Sequence, residues 1–135
     1  MNEPAQEGWI PWPYPSPFLN AIGGFSQFES NPLRAGFVVS REKVNGRGFL
    51  HGGAIAAIGD VVIGHAVARQ TNPPARLLTI NLSCDLVGTA QLDEWVEVTV
   101  TPTRIGKRLG AGTATFHTDR PIATVTGLFI PSQPG

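Results

Sequence analysis

Between Gly52 and Ala68 the chain runs Gly-Gly-Ala-Ile-Ala-Ala-Ile-Gly-Asp-Val-Val-Ile-Gly-His-Ala-Val-Ala, with Asp60 as its only carboxylate. Its apolar residues, Ala54 to Ile58, Val61 to Ile63 and Ala66 to Ala68, fall on nearly every side of a helix instead of forming one stripe. That is the pattern of a helix buried all round. The spacing predicts a helix over His51–Gln70, stopped by Asn72-Pro73-Pro74, because proline lacks an amide proton and disfavours helical geometry in the residue before it. A chain of 135 residues holds one hydrophobic core, so this helix is expected at its centre.

No second segment reads as a helix of that length. Phe25–Glu29 and Arg34–Lys43 read as strands before the turn signal Asn45-Gly46. Beyond the helix, Leu78, Ile80, Leu82, Cys84 and Leu86 alternate with Thr79, Asn81, Ser83 and Asp85, a half-buried strand. Val96, Val98 and Val100 repeat the pattern, as do Ala114 and Phe116, and Ala123–Ile130 completes the set. Ile105-Gly106-Lys107 and Thr118–Pro121 are the expected turns. The order predicts an α+β domain, five to six antiparallel strands wrapped around one central helix. It spans residues 18–135, preceded by an arm, residues 1–17, whose alternating prolines and aromatics favour extended backbone and exclude a helix or central strand. Two tryptophans and a tyrosine in that arm require it either to pack on the domain or a neighbour, or to form a loose terminus. A half-barrel leaves strand edges and part of the helix uncovered, so at least a dimer is expected.

Ten basic and ten acidic residues cancel, which removes the electrostatic footprint expected for a nucleic acid or membrane partner. A single cysteine, Cys84, forms no internal disulfide and shows no partner base. The three histidines lack metal-ligand spacing. No signal peptide or run of about eighteen apolar residues is visible. A cytoplasmic protein without metal or redox cofactor is expected.

Two features at the helix carry chemistry. Its first turn presents amide protons without helical partners, and the macrodipole adds roughly half a positive charge there. Gly52 and Gly53 leave that end open to a carbonyl oxygen; the alternative is that paired glycines serve only packing or a bend. Asp60 has Ala56, Ala57, Ile63 and Gly64 at the positions three and four away, so no basic residue of its own helix neutralises it. A carboxylate among apolar residues is hydrogen-bonded, exposed in a cleft or chemically used. One lining an apolar cleft is suited to act as a general base. His65 lies five positions on, about 140° around the helix, which separates the two side chains and makes His65 structural.

The segment Asn45…His51-Gly52-Gly53-Ala54-Ile55-Ala56-Ala57-Ile58-Gly59-Asp60 resembles the signature of hotdog-fold acyl-CoA thioesterases of the phenylacetate-pathway type, in which an acid follows the histidine of His-Gly-Gly nine positions later. The resemblance extends from about Gly24 to Ile130 through Leu77–Ile80, Trp95–Val98, Arg104–Leu109 and Ala123–Phe129. It implies hydrolysis of an acyl-CoA to a free acid and coenzyme A, with coenzyme A present as part of the substrate. The Gly52 amide would polarise the thioester carbonyl while Asp60 of the facing subunit serves as base or nucleophile. Asn45 and His51 match positions that orient the thioester, Thr79 one that helps hold water, and Gly53 lies beside the substrate. Arg104, Lys107 and Arg108 would contact coenzyme A phosphates, or form an ordinary solvated hairpin tip. Active sites would lie at a homodimer interface, with dimers pairing further. The resemblance departs at Leu92-Asp93-Glu94, where family members often carry glycine after the leucine, and in the aromatic arm. Two alternatives are a hotdog-fold hydratase or dehydratase and a non-catalytic acyl-CoA-binding dimer.

Overall fold

The computed structural model describes residues 7–132; the first six residues of the expected arm and the last three of the chain lie outside it. In chain order the elements are β1 (Trp9–Pro11), α1 (Pro17–Ala21), β2 (Ser26–Phe28), β3 (Arg34–Val38), a 3-10 turn (Arg41–Lys43), α2 (Gly52–Ala68), β4 (Leu77–Leu86), β5 (Trp95–Ile105), β6 (Gly110–His117) and β7 (Pro121–Pro131). All seven strands join one antiparallel sheet in the order β1-β2-β3-β5-β6-β7-β4. One long helix packed on one antiparallel sheet is the expected α+β hotdog layout. The sheet has seven strands where five to six are expected, because the arm supplies one.

Helix α2 begins after His51, whose extended backbone and side chain cap it. It ends at Ala68, two residues short of the expected Gln70. There the Arg69 amide donates back to the His65 carbonyl and the Thr71 hydroxyl to the Ala68 carbonyl, satisfying orphan acceptors of the last turn. Ala54, Ile55, Ile58, Val62, Ile63, Ala66 and Val67 are buried and face the core with Val96, Val98, Phe116, Val125 and Phe129. A Cβ on Gly59 would stand 2.9 Å from three carbons of Val125, so glycine lets the helix axis come this close to β7.

The helix is not buried all round within one chain. Ala56, Ala57, Asp60, Val61 and Gly64 remain half-exposed, because one sheet covers only one side of a helix. Apolar composition without a stripe therefore reflects a second face that the described residues leave half-exposed.

Strand β4 also departs from its simple alternation. Its register with β7 shifts between Thr79 and Asn81, leaving Ile80 as an extra residue in a bulge. A bulge reverses which side chains face the helix. Thr79 consequently reaches α2, and beyond the bulge Leu82 and Cys84 pack against the core. Leu78, on the expected apolar face, is instead 54% exposed.

The arm packs on its own chain. Strand β1 pairs with β2 at the edge of the sheet, the position where proline-containing strands are tolerated. Trp9 packs edge-on against Phe28 and Trp95, and the Arg34 guanidinium, 3.1 Å from Glu97, lies over the Phe28 and Trp9 rings. Trp12 is only 6% exposed and sits in the core beside Phe25. Pro17 opens α1 at a position where its missing amide is harmless, with Ser16 as cap.

At the departure Leu92-Asp93-Glu94, Asp93 has φ +75°, the left-handed region that favours glycine. The backbone at this turn thus keeps the conformation that glycine adopts freely, with aspartate held in it by the bond from its amide to the Val39 carbonyl.

Candidate active site

The helix start is built by the loop before it. The Asn45 Oδ1 accepts from the Arg47 and Phe49 amides at 2.9 and 3.1 Å, folding residues 45–49 into a tight loop. The His51 amide then donates to the Lys43 carbonyl, fixing the approach to α2. His51 Nδ1 accepts from the Gly53 amide at 2.7 Å. An imidazole nitrogen that accepts a bond carries no proton, so the neutral ring has its hydrogen on Nε2. The Ala54 and Ile55 amides turn back to the His51 carbonyl. The Gly52 amide is left without an acceptor among the described residues, a donor at the positive end of the helix. A Cβ on Gly52 would meet only the tip of Leu86.

Two turns along α2, Asp60 is half-exposed and its Oδ1 accepts from the Thr79 hydroxyl at 2.6 Å. The bulge at Ile80 makes this contact possible. One carboxylate oxygen is thereby held while the other stays open to a water molecule or a carbonyl carbon. The pair stands at the edge of a cleft of about 340 Å³ between α2 and β4, walled by Val61, Gly64, Ala68, Leu77 and Phe129, with His65 and Arg76 also facing it. An apolar cleft with a few polar groups is the usual form of a small-molecule site.

Asn45, His51, Gly52 and Gly53 thus come together at the helix start, and Asp60 with Thr79 further along. The two groups are separate within one chain: eight residues at 1.5 Å per residue place Gly52 and Asp60 roughly 12 Å apart along the axis. Arg104, Lys107 and Arg108 form a third, exposed group at the β5–β6 hairpin and none of them lines the cleft.

His65, expected to be structural, faces the same cleft as Asp60. The 140° between them is correct; the cleft is wide enough to include both. Burial holds the His65 imidazole below its ordinary value of 6.5, and the nearby Arg69 charge adds to this. Position was the available signal, since Asp60, Val61, Gly64 and His65 share the side of the helix that the sheet leaves open. Cys84 is half-buried, and burial and Asp85 push its thiol up, which disfavours the thiolate. His117 lies on the other side of the molecule's strands, its Nε2 3.4 Å from the Thr99 hydroxyl. Among the described residues no group of three or more His, Cys, Asp or Glu is arranged to hold a metal, and no helix is long and apolar enough to cross a membrane.

The chain is similar to known proteins along most of its length. Residues 47–122 match the family model described as Thioesterase superfamily. A Pseudomonas aeruginosa protein provisionally named an esterase is 31% identical over 132 residues, which cover 96% of this chain and 97% of that one. A Mycobacterium tuberculosis protein of similarly provisional esterase name superposes with a TM-score of 0.75 at 22% identity, covering 89% of this chain and 99% of the other. A Streptococcus mutans protein crystallised with acetyl-CoA gives a TM-score of 0.67 at 19% identity over 73% of this chain and 79% of its own.

Proposed function

Because the chain belongs to the thioesterase superfamily, we propose that it hydrolyses an acyl-CoA thioester to a free carboxylic acid and coenzyme A. The observation that carries this reading is the Asp60–Thr79 pair, a carboxylate held at 2.6 Å by one hydroxyl at the edge of an apolar cleft. The similarity to a provisionally named esterase and the fold shared with an acetyl-CoA complex support the same substrate class.

The chemistry divides between two helix positions. The Gly52 amide, unpaired and at the positive end of α2, polarises the thioester oxygen and stabilises the oxyanion as the carbonyl carbon is attacked. Asp60 supplies the negative group on the other side, as a base that takes a proton from attacking water or as a nucleophile that forms a transient anhydride. Collapse of the tetrahedral species breaks the carbon–sulfur bond and releases the coenzyme A thiol. Thr79 fixes the carboxylate, His51 and Asn45 fix the helix start, and the hairpin cations Arg104, Lys107 and Arg108 receive coenzyme A phosphates.

Roughly 12 Å of helix separates Gly52 from Asp60 of the same chain, too far for both to act on one carbonyl. A homodimer in which each α2 lies against its mate solves this by bringing Asp60 of one chain to Gly52 of the other. The half-exposed face of α2, the unpaired edge of β4 and the exposed Leu78, Ile80 and Leu86 support such an interface.

Free-thiol release across a panel of acyl-CoAs, with wild type and Asp60→Asn side by side, tests the proposal. Asp60→Asn should keep its fold and its acyl-CoA affinity while hydrolysis falls at least about a hundredfold, the scale of general-base contributions. Hydrolysis retained in Asp60→Asn removes the assigned role, and conversion of an enoyl-CoA to its hydroxyacyl product would replace thioester hydrolysis by hydration.

A further inference from the structure

The cleft beside Asp60 has two unlike sides. On one, Asp60 is tied to β4 through Thr79. On the other, His65 is clamped by the N-terminal arm: the Tyr14 ring stacks on the imidazole at 4.5 Å and 16°, and Trp12 meets it edge-on at 5.1 Å and 89°. Neither His65 ring nitrogen has a hydrogen-bond partner among the described residues, although the residue is half-buried and, apart from Arg76 and the Asp60–Thr79 pair, the wall is apolar. Neither ring nitrogen is sealed from solvent, so whatever enters the cleft must take the place of water there. Here a neutral imidazole, with one donor and one acceptor, faces an apolar cleft.

We propose that His65, positioned by Tyr14 and Trp12, is a specificity-determining residue that selects acyl groups carrying a hydroxyl substituent part-way along the chain. The inference rests on the thioesterase reading for the identity of the ligand as an acyl-CoA. His65 lies five residues beyond Asp60, roughly 7–8 Å further along the helix axis, so the substituent stands well away from the reacting carbonyl. An unsubstituted alkyl chain entering the cleft strips water from the imidazole and leaves it unpaired, whereas a hydroxyl either donates to its free lone pair or accepts from its N–H. Sites built to bond a hydroxyl reject the analogue lacking it far more strongly than apolar pockets reject an added hydroxyl. Tyr14 and Trp12 act through His65: they fix the plane of the ring and thus where its nitrogens point.

The test compares binding of non-hydrolysable thioether analogues of decanoyl-CoA and 6-hydroxydecanoyl-CoA by calorimetry, with thiol release from the parent thioesters measured in parallel. Wild type should bind the hydroxylated analogue at least about tenfold more tightly. His65→Leu should reduce that ratio to within about threefold, while His65→Gln, which keeps a donor and an acceptor, retains part of it. Tyr14→Ala, leaving His65 in place without its stacking partner, should give an intermediate ratio with the change in Kd. A merely structural His65 would move stability in these variants but not the ratio. A wild-type ratio near one, or an unchanged ratio in His65→Leu, overturns the inference. Preference in binding without any thiol release overturns the thioesterase reading and supports the specificity role; hydrolysis without preference does the reverse. Failure of both analogues to bind overturns both.

Discussion

Gly59 sits in the interior of α2 next to Asp60, and replacing it with alanine sets two measurable effects against each other. Helix propensity favours the change by about 0.8–1 kcal/mol, since glycine has more backbone freedom to lose. Packing opposes it. The new Cβ would stand 2.9 Å from Cβ, Cγ1 and Cγ2 of Val125, well inside the 3.5–4.0 Å at which carbon contacts are attractive. Val125 is fully buried and β-branched, in the middle of the β6-β7-β4 ladder, so it has neither space nor a free rotamer to give way. Overpacking of this kind costs about 1–3 kcal/mol, and packing should win, leaving a net destabilisation of about 1 kcal/mol and at most ~2. Urea unfolding should show a lower midpoint with an unchanged slope. Gly64→Ala is the internal control: it gains the same propensity, but its Cβ meets the edge of the Phe129 ring at 3.3 Å, so it should be the more stable of the two variants. The two substitutions change composition identically, which isolates the contact with Val125. Gly59→Ala equal to or more stable than wild type, or Gly64→Ala the worse of the pair, would refute the close approach of α2 to β7.

The remaining predictions concern the arm, the β4–β5 turn and pH. Trp12→Ala should cost about 3 kcal/mol, the lower end for a buried tryptophan, because its buried Nε1 has no partner to lose among the described residues; calorimetry that finds the melting temperature unchanged would show the arm to be dispensable. Asp93→Gly, at φ +75°, should leave stability unchanged or raise it by up to ~1 kcal/mol, read by thermal melting, since relief of the left-handed strain is partly offset by glycine's larger unfolded-state entropy. Burial holds the folded-state His65 below 6.5, so the unfolded chain takes up a proton first as pH falls. The native state therefore loses stability on descending from pH 6.5 through the folded value. In His65→Leu that part of the stability–pH slope should vanish, as denaturant titrations at several pH values would show.

Much of this architecture was legible along the chain. The helix at 52–68 announced itself by its length, its apolar content and the prolines after it, and β5 and β6 by their alternation, because local periodicity reports the burial of one face. The His-Gly-Gly start and the acid nine positions after the histidine were legible for the same reason: both are spacings along one element. Thr79 was named from resemblance alone. Its own strand pattern pointed it away from the helix with Asn81 and Ser83, and one extra residue at Ile80 reversed that.

Local signals along the chain specified the helix, most strands, the open helix start and the lone carboxylate. What each of these meets depended on long-range packing: that Trp9 and Trp12 extend the sheet and core of their own chain, that Thr79 holds Asp60, that His65 lines the same cleft with Tyr14 stacked on it, and that the described residues leave one side of α2 half-exposed. The physical reason is one of range. Periodicity, capping and turn preferences act over a few residues, whereas a bulge, an aromatic stack between residues far apart in the chain and a bare helix face arise only when distant segments are packed together.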